Sequence, residues 1–201
     1  VNDYEDGSVL LNGIDIKRIP KRTLRKSITV IPQDPLLFSG ALRKSVDPYE
    51  EYTDSELFIA LKRSGFLDTL RSSKESEESE KSEEARGEVS EGSVLQMQLS
   101  DSGSNLSCGQ KQLLCLSRTL LNGTKLILVD EAASNIDFMT EQLLYKVLKE
   151  CADEWKATLM IISHNVKGLR NYVDYVIEMI QGVSIRGLVP YEAHENPTPN
   201  L

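Results

Sequence analysis

The chain has 201 residues, 40% apolar and 27% charged, with a formal net charge of −8. That length suits one domain with a sizeable core. The acidic balance, with no basic stripe, argues against binding nucleic acid through its phosphates, and no apolar run approaches the roughly 18 residues of a membrane helix. Cys108, Cys115 and Cys151 form neither a CxxC pair nor an even disulfide set. They read as packing thiols of a reducing compartment.

Val9-Leu10-Leu11, Asn12-Gly13 and Ile14-Asp15-Ile16 predict a β-hairpin with a two-residue turn. Ser27-Ile28-Thr29-Val30-Ile31 predicts a strand stopped by Pro32. From Gly40 the pattern turns helical. Thr53-Asp54-Ser55-Glu56 is a capping box, followed by Leu57, Ala60 and Leu61 at helical spacing. Residues 72–91 are almost all Ser, Glu, Lys and Arg. Such a stretch buries too little apolar surface to offset its ordering entropy and is expected to be a disordered insertion. Phosphorylation of its serines is a further possibility left open by the composition.

Ser107-Cys108-Gly109-Gln110 is a second capping box, opening a helix through Leu121. The apolar run 125–129 predicts a strand ending on Asp130. Thr158 to Ile162 predicts another, ending near His164, with a helix between them carrying Leu143, Leu144, Val147 and Leu148. Strand–helix–strand order implies a parallel sheet, expected to be buried on both faces. Val176-Ile177 and Val183-Ser184-Ile185 predict closing strands around a Gln181-Gly182 turn, before a polar tail over 191–201 that is expected to be flexible.

Ligands of open α/β sheets bind beyond the carboxyl ends of the strands. Asp130-Glu131 and Ser163-His164 stand at two such ends. Paired acids there suit a metal-bound phosphate, one organising Mg²⁺ and the next orienting water. The Ser107–Gln110 turn offers backbone N–H groups and a positive dipole end to an anion. Each feature alone has an ordinary structural explanation as a helix cap or a loop residue.

Taken together, these features resemble the ATP-binding-cassette ATPases. Ile31-Pro32-Gln33-Asp34-Pro35 is similar to their Q-loop and Leu106-Ser107-Cys108-Gly109-Gln110 to their signature, usually LSGGQ. Leu126-Ile127-Leu128-Val129-Asp130-Glu131 resembles the Walker B strand, Ala133-Ser134-Asn135-Ile136-Asp137 the D-loop and Ser163-His164 the H-loop. The order and spacing are the family's, over residues 7–187. Ile31 to Arg43, with Asp47-Pro48 after it, looks like the C subfamily of multidrug-resistance-associated exporters. Glu131, together with the non-glycine Cys108, resembles that group's second nucleotide-binding domain.

The resemblance implies an α/β fold: a P-loop NTPase-like parallel sheet core, an antiparallel β part at the N-terminus and a helical subdomain over about residues 40–121. It implies a partial nucleotide-binding domain over 1–190. Two such domains would pair head-to-tail around two ATP molecules. Gln33, Asp130, Glu131 and His164 would serve one site, with Asp137 of the D-loop among the ATP-binding residues. Ser107, Gly109 and Gln110 would reach the other. By the same resemblance Asp130 and Gln33 hold Mg²⁺, Glu131 is the base or water-orienting group, and His164 meets the γ-phosphate. Partners would be a second nucleotide-binding domain and transmembrane domains, on the cytoplasmic face of a vacuolar or plasma membrane.

One departure concerns the front end. The family places GxxxxGK[ST] about 20 residues before the strand beginning near Ser8, and only seven residues precede Ser8 here. The P-loop, the first strand and the upstream adenine-stacking aromatic are therefore expected to be missing. The strand over 125–129 is expected to be one of the neighbours left exposed. Three readings follow: the ATP-hydrolysing half of a membrane exporter, a non-catalytic remnant of an interrupted gene, or a soluble ATPase of the same superfamily. The exporter-like block from Ile31 argues against the last. By itself the chain is expected to bind Mg-ATP poorly, because each lost phosphate-facing donor costs about 3–4 kcal/mol in a catalytic site. Isothermal titration of this chain beside one extended upstream checks it, and micromolar binding by this chain would overturn the expectation.

Overall fold

In the computed structural model, residues 7–77, 91–180 and 183–191 are described. The chain divides into two units, 1–162 and 163–201. The first opens with β1 (Leu10–Leu11) and β2 (Ile14–Asp15), an antiparallel hairpin. Its turn residues Asn12 (φ 49°) and Gly13 (φ 78°) both take positive φ, as a type I′ turn requires. Helix α1 (Lys21–Ser27) leads into β3 (Ile28–Ile31), so Ser27 ends a helix rather than starting the strand.

The central sheet has the order β3–β6–β7, all parallel, with β6 over Leu126–Asp130 and β7 over Thr158–Ile162. Register pairs Ile31 with Val129 and Val129 with Ile161. Helix α6 (Cys108–Asn122) lies on the crossover from β3 to β6, and α7 (Phe138–Trp155) on that from β6 to β7. Both crossovers run the same way along the sheet. Right-handed connections then put both helices on one face. That face buries Ile31, Ile127 and Val129. The opposite face leaves Val30 54%, Met160 51% and Ile162 55% exposed. Burial of the sheet on both faces, expected from its apolar strands, is therefore not what the described residues show. Among the described residues β6 is the central strand, paired on both sides, with β3 and β7 as the outer strands.

The helical part begins where β4 (Gly40–Ala41) pairs antiparallel with β5 (Gln98–Leu99). Around α6 pack α2 (Leu42–Val46), α3 (Asp54–Arg63) and α4 (Phe66–Glu77), while α5 (Glu91–Leu95) packs on α2 and α3. Thr53 and Glu56 form the predicted capping box on α3, and Leu57, Ala60 and Leu61 are buried. Because α6 also packs on β3 and α7, the helical part is continuous with the sheet. Helix α4 extends into the acidic stretch, so residues 72–77 are helical, in keeping with the helix propensity of Glu, Lys and Arg. Residues 78–90 lie outside the described residues.

The second unit contains β8 (Tyr175–Ile180) and β9 (Val183–Pro190), an antiparallel pair longer than the sequence suggested. The expected Gln181-Gly182 turn lies outside the described residues. Tyr191, assigned from the sequence to a flexible tail, is 5% exposed. Its N–H donates to the Asp174 carbonyl at 3.1 Å and its hydroxyl to the Val166 carbonyl at 3.4 Å, which anchors it. The rest of that tail, 192–201, lies outside the described residues.

Between α3 and α4 the chain turns at Gly65, with φ +80°. An added Cβ would meet Leu143 Cδ2 of α7 at 2.4 Å, whereas at Gly123 (φ +57°) it would meet nothing within 4 Å. Gly65→Ala combines left-handed strain with overpacking and should lose about 2–5 kcal/mol. Gly123→Ala should lose only the backbone share, about 1–2 kcal/mol. Denaturant melts of the two variants check the difference, and equal losses would show that Leu143 yields freely.

Candidate functional site

Asp130 ends β6, and the adjacent strand β3 ends one residue before Pro32-Gln33. The parallel register therefore brings Gln33, Asp130 and Glu131 to one end of neighbouring strands. Both Gln33 and Asp130 are exposed there. The Glu131 N–H donates to the Ile162 carbonyl at 3.0 Å, carrying the ladder one residue past the strand. Glu131 then adopts φ 46°, a left-handed conformation that costs a residue with a Cβ about 1–2 kcal/mol. The turn is closed by the Ser134 N–H donating to the Glu131 carbonyl at 3.0 Å. Gln33 Nε2 donates to Ser134 Oγ at 3.3 Å, linking the Q-loop to this turn.

These groups fit Mg²⁺. A carboxylate and an amide oxygen are hard donors, and Mg²⁺ takes one or two carboxylates, several waters and substrate phosphates. Among the described residues no group of three or more His, Cys, Asp or Glu could hold a metal. An ion held wholly by the protein has no cage here, while one shared with a phosphate group needs only such a pair.

At the start of α6, Ser107 Oγ accepts the Gln110 N–H at 3.1 Å and Gln110 Oε1 accepts the Ser107 N–H at 3.0 Å. The predicted capping box is thus present in full. Gln110 is 7% exposed, and its Nε2 also donates to the Thr69 carbonyl at 3.4 Å. Its side chain is engaged inside the chain, while Ser107 and Cys108 face outward. At Gly109 an added Cβ would meet Thr140 Cγ2 at 3.1 Å, so the turn is closely packed on α7.

Asp137 caps α7. Its carboxylate accepts the Thr140 N–H at 3.0 Å and the Thr140 hydroxyl at 2.6 Å. Those hydrogen bonds hold its pKa below the usual carboxylate range. His164 follows β7 by two residues and belongs to the second unit, where it is exposed. There the neighbouring Asn165 caps the turn Val166–Leu169, accepting the Gly168 N–H at 3.4 Å.

Two residues escaped the sequence reading. Arg118 of α6 donates to the carbonyls of Ser45 and Leu36, both at 2.8 Å, clamping the segment after the Q-loop. Burial pushes its pKa down. Gln112, 3% exposed, donates from Nε2 to the carbonyls of Pro32 (3.2 Å) and Gln33 (2.7 Å). The available signal was its place among Cys115, Leu116 and Thr119, on the buried face of α6.

With known proteins the following similarities are found. The ABC transporter family profile matches residues 1–134. A pleiotropic ABC efflux transporter of multiple drugs from Candida glabrata is 39% identical over 86% of this chain. ABC transporter C family member 1 of Dictyostelium discoideum is 37% identical over 80%, and an ATP-dependent bile acid permease of Saccharomyces cerevisiae 37% over 85%. The chain spans 10% of the length of each of these relatives. A solved bacterial Atm1-family ABC exporter with ATP bound superposes with a TM-score of 0.76 at 22% identity, over 96% of this chain and 31% of that one. At that identity the likeness concerns the fold.

The cap at Asp137 can be separated from nucleotide contact. Asp137→Ala should lose about 1 kcal/mol of stability and Asp137→Ser very little, since serine also caps. Because the folded pKa is depressed, the stabilisation from the carboxylate is present above the unfolded Asp value, near pH ~4. It is lost as pH falls through the lower folded value. Denaturant melts between neutral and acid pH check this, and Asp137→Ser should show no such acid-side loss at this site. Identical acid profiles would mean the cap is not the source of the depressed pKa.

Proposed function

This chain belongs to the ABC transporter family, as a nucleotide-binding domain of the C-family type, and on that premise we propose that it is the ATP-binding and ATP-hydrolysing part of a membrane exporter. The observation that carries the proposal is the Glu131 turn. A left-handed glutamate directly after Asp130, at the end of a parallel strand and tied to Gln33 through Ser134, is strain located at a ligand-binding edge.

Asp130 and the Gln33 amide oxygen would hold Mg²⁺. The ion, when bound, neutralises charge on the phosphates and polarises the bond to be broken. Glu131 orients the attacking water and takes its proton. His164 contacts the terminal phosphate. Ser107 and the N–H groups of the α6 turn face the nucleotide of a partner domain, where the positive helix end favours anions. Glu131 together with Cys108 in the signature favours the second of the two nucleotide-binding domains of such an exporter. Among the described residues no helix is long and apolar enough to cross a membrane. Membrane-spanning segments would therefore be supplied by other parts of the transporter, with this domain on their cytoplasmic face.

The test is Glu131→Gln in the full-length protein. ATP binding should persist while hydrolysis slows by roughly 10²–10⁴-fold, the usual worth of a positioned base. An unchanged hydrolysis rate would remove Glu131 from the role. Absence of ATP binding in the unaltered full-length protein would favour the reading of a non-catalytic remnant.

A further inference from the structure

Gln112 lies on the buried face of α6, one turn beyond the capping box that presents Ser107. Only half of its carboxamide is used. Nε2 makes both hydrogen bonds, to the consecutive carbonyls of Pro32 and Gln33. Oε1 is buried and finds no donor among the described residues. A buried acceptor without a donor opposes folding, and methionine would fill nearly the same space without it. The side chain therefore reads as retained for its two N–H bonds, which grip the backbone of the Q-loop.

The grip continues outward. The backbone of Gln33 is held by Gln112, while its own side chain donates to Ser134 Oγ. Ser134 in turn closes the Glu131 turn through its N–H. Beside this path, Gly109 packs against Thr140, whose hydroxyl is bonded to Asp137. The first two turns of α6 are thus connected on one side to the Q-loop and on the other to the D-loop.

We propose that Gln112 is a positioning residue that fixes the Gln33 loop, and through Ser134 the Glu131 turn, to the signature helix, so that the groups serving one nucleotide and the signature turn serving another move as one body. This rests on the proposed function for its consequence in catalysis, while the linkage itself does not.

The test uses the full-length protein with Gln112→Met, which keeps the volume and removes both N–H donors, and Gln112→Glu, which places an oxygen against the two carbonyls. Two readouts are taken. The first is amide exchange over residues 33–36 and 131–134. The second is the Mg²⁺ concentration for half-maximal ATP hydrolysis, with KM for ATP measured at saturating Mg²⁺. Gln112→Met should speed exchange in both segments by roughly tenfold, as expected for losing two ordinary hydrogen bonds, at a nearly unchanged melting temperature. It should raise the Mg²⁺ requirement about five- to tenfold and leave KM for ATP within about twofold. Gln112→Glu should be worse on both readouts. Ser134→Ala should raise the Mg²⁺ requirement similarly, and the double variant should add little to either single change.

Faster exchange with an unchanged Mg²⁺ requirement would make Gln112 a packing residue and overturn the proposal. Additive effects of Gln112→Met and Ser134→Ala would overturn the path through Gln33. If the unaltered protein hydrolyses no ATP, the functional reading fails. Exchange at 131–134 then decides the linkage: acceleration by Gln112→Met supports it and no change overturns it.

Discussion

Helix α6 is the constraint on which the described fold depends. Its apolar side, with Leu113, Leu114 and Leu116 at 0% exposure, is a common packing surface for the sheet and for α3 and α4. Burying several leucines of this size contributes about 1.5–3 kcal/mol each. Its ends are closed by a full capping box at Ser107 and a left-handed Gly123. Its polar interior residues, Gln112 and Arg118, reach sideways to backbone carbonyls instead of to other charges. One helix therefore carries the core and also sets the position of the loop after β3.

The chemistry follows from that placement. Parallel strands bring their carboxyl ends to the same edge, so Asp130 and Gln33 stand at the same end of neighbouring strands without any sequence proximity. Glu131 is forced into an unfavourable backbone conformation just where the ladder ends. Such strain persists only when surrounding bonds over-determine it. Here the Ile162 carbonyl before it and the Ser134 N–H after it supply that restraint. Asp130 is exposed at the sheet edge and Glu131 half-buried, whereas Gln110 and Gln112 are buried.

The sheet shows a second consequence of topology. Two crossovers of the same hand and direction stack α6 and α7 on one face and leave the apolar side chains of Val30, Met160 and Ile162 more than half exposed on the other. This chain covers 10% of the length of its C-family relatives. The bacterial exporter, matched at a TM-score of 0.76, shows the same fold at an identity too low to carry residue roles.

Local signals in the sequence were sufficient for several elements. The Asn12-Gly13 turn, the capping boxes at Thr53 and Ser107, and the strand from Thr158 to Ile162 depend on neighbours within a few residues, and all formed as expected. The family motifs placed Gln33, Asp130 and Glu131 at strand ends because strand limits are themselves local. Three things depended on contacts far apart in the chain. The one-sided covering of the sheet follows from crossover hand and direction, which no apolar pattern encodes. The inward commitment of Gln110 follows from the position of Thr69, 41 residues away. The grip of Gln112 on Gln33, across 79 residues, exists only because α6 lies against β3. Periodicity identifies the buried face of a helix, but a hydrogen bond from that face needs the partner's carbonyl in place, and only the tertiary structure puts it there.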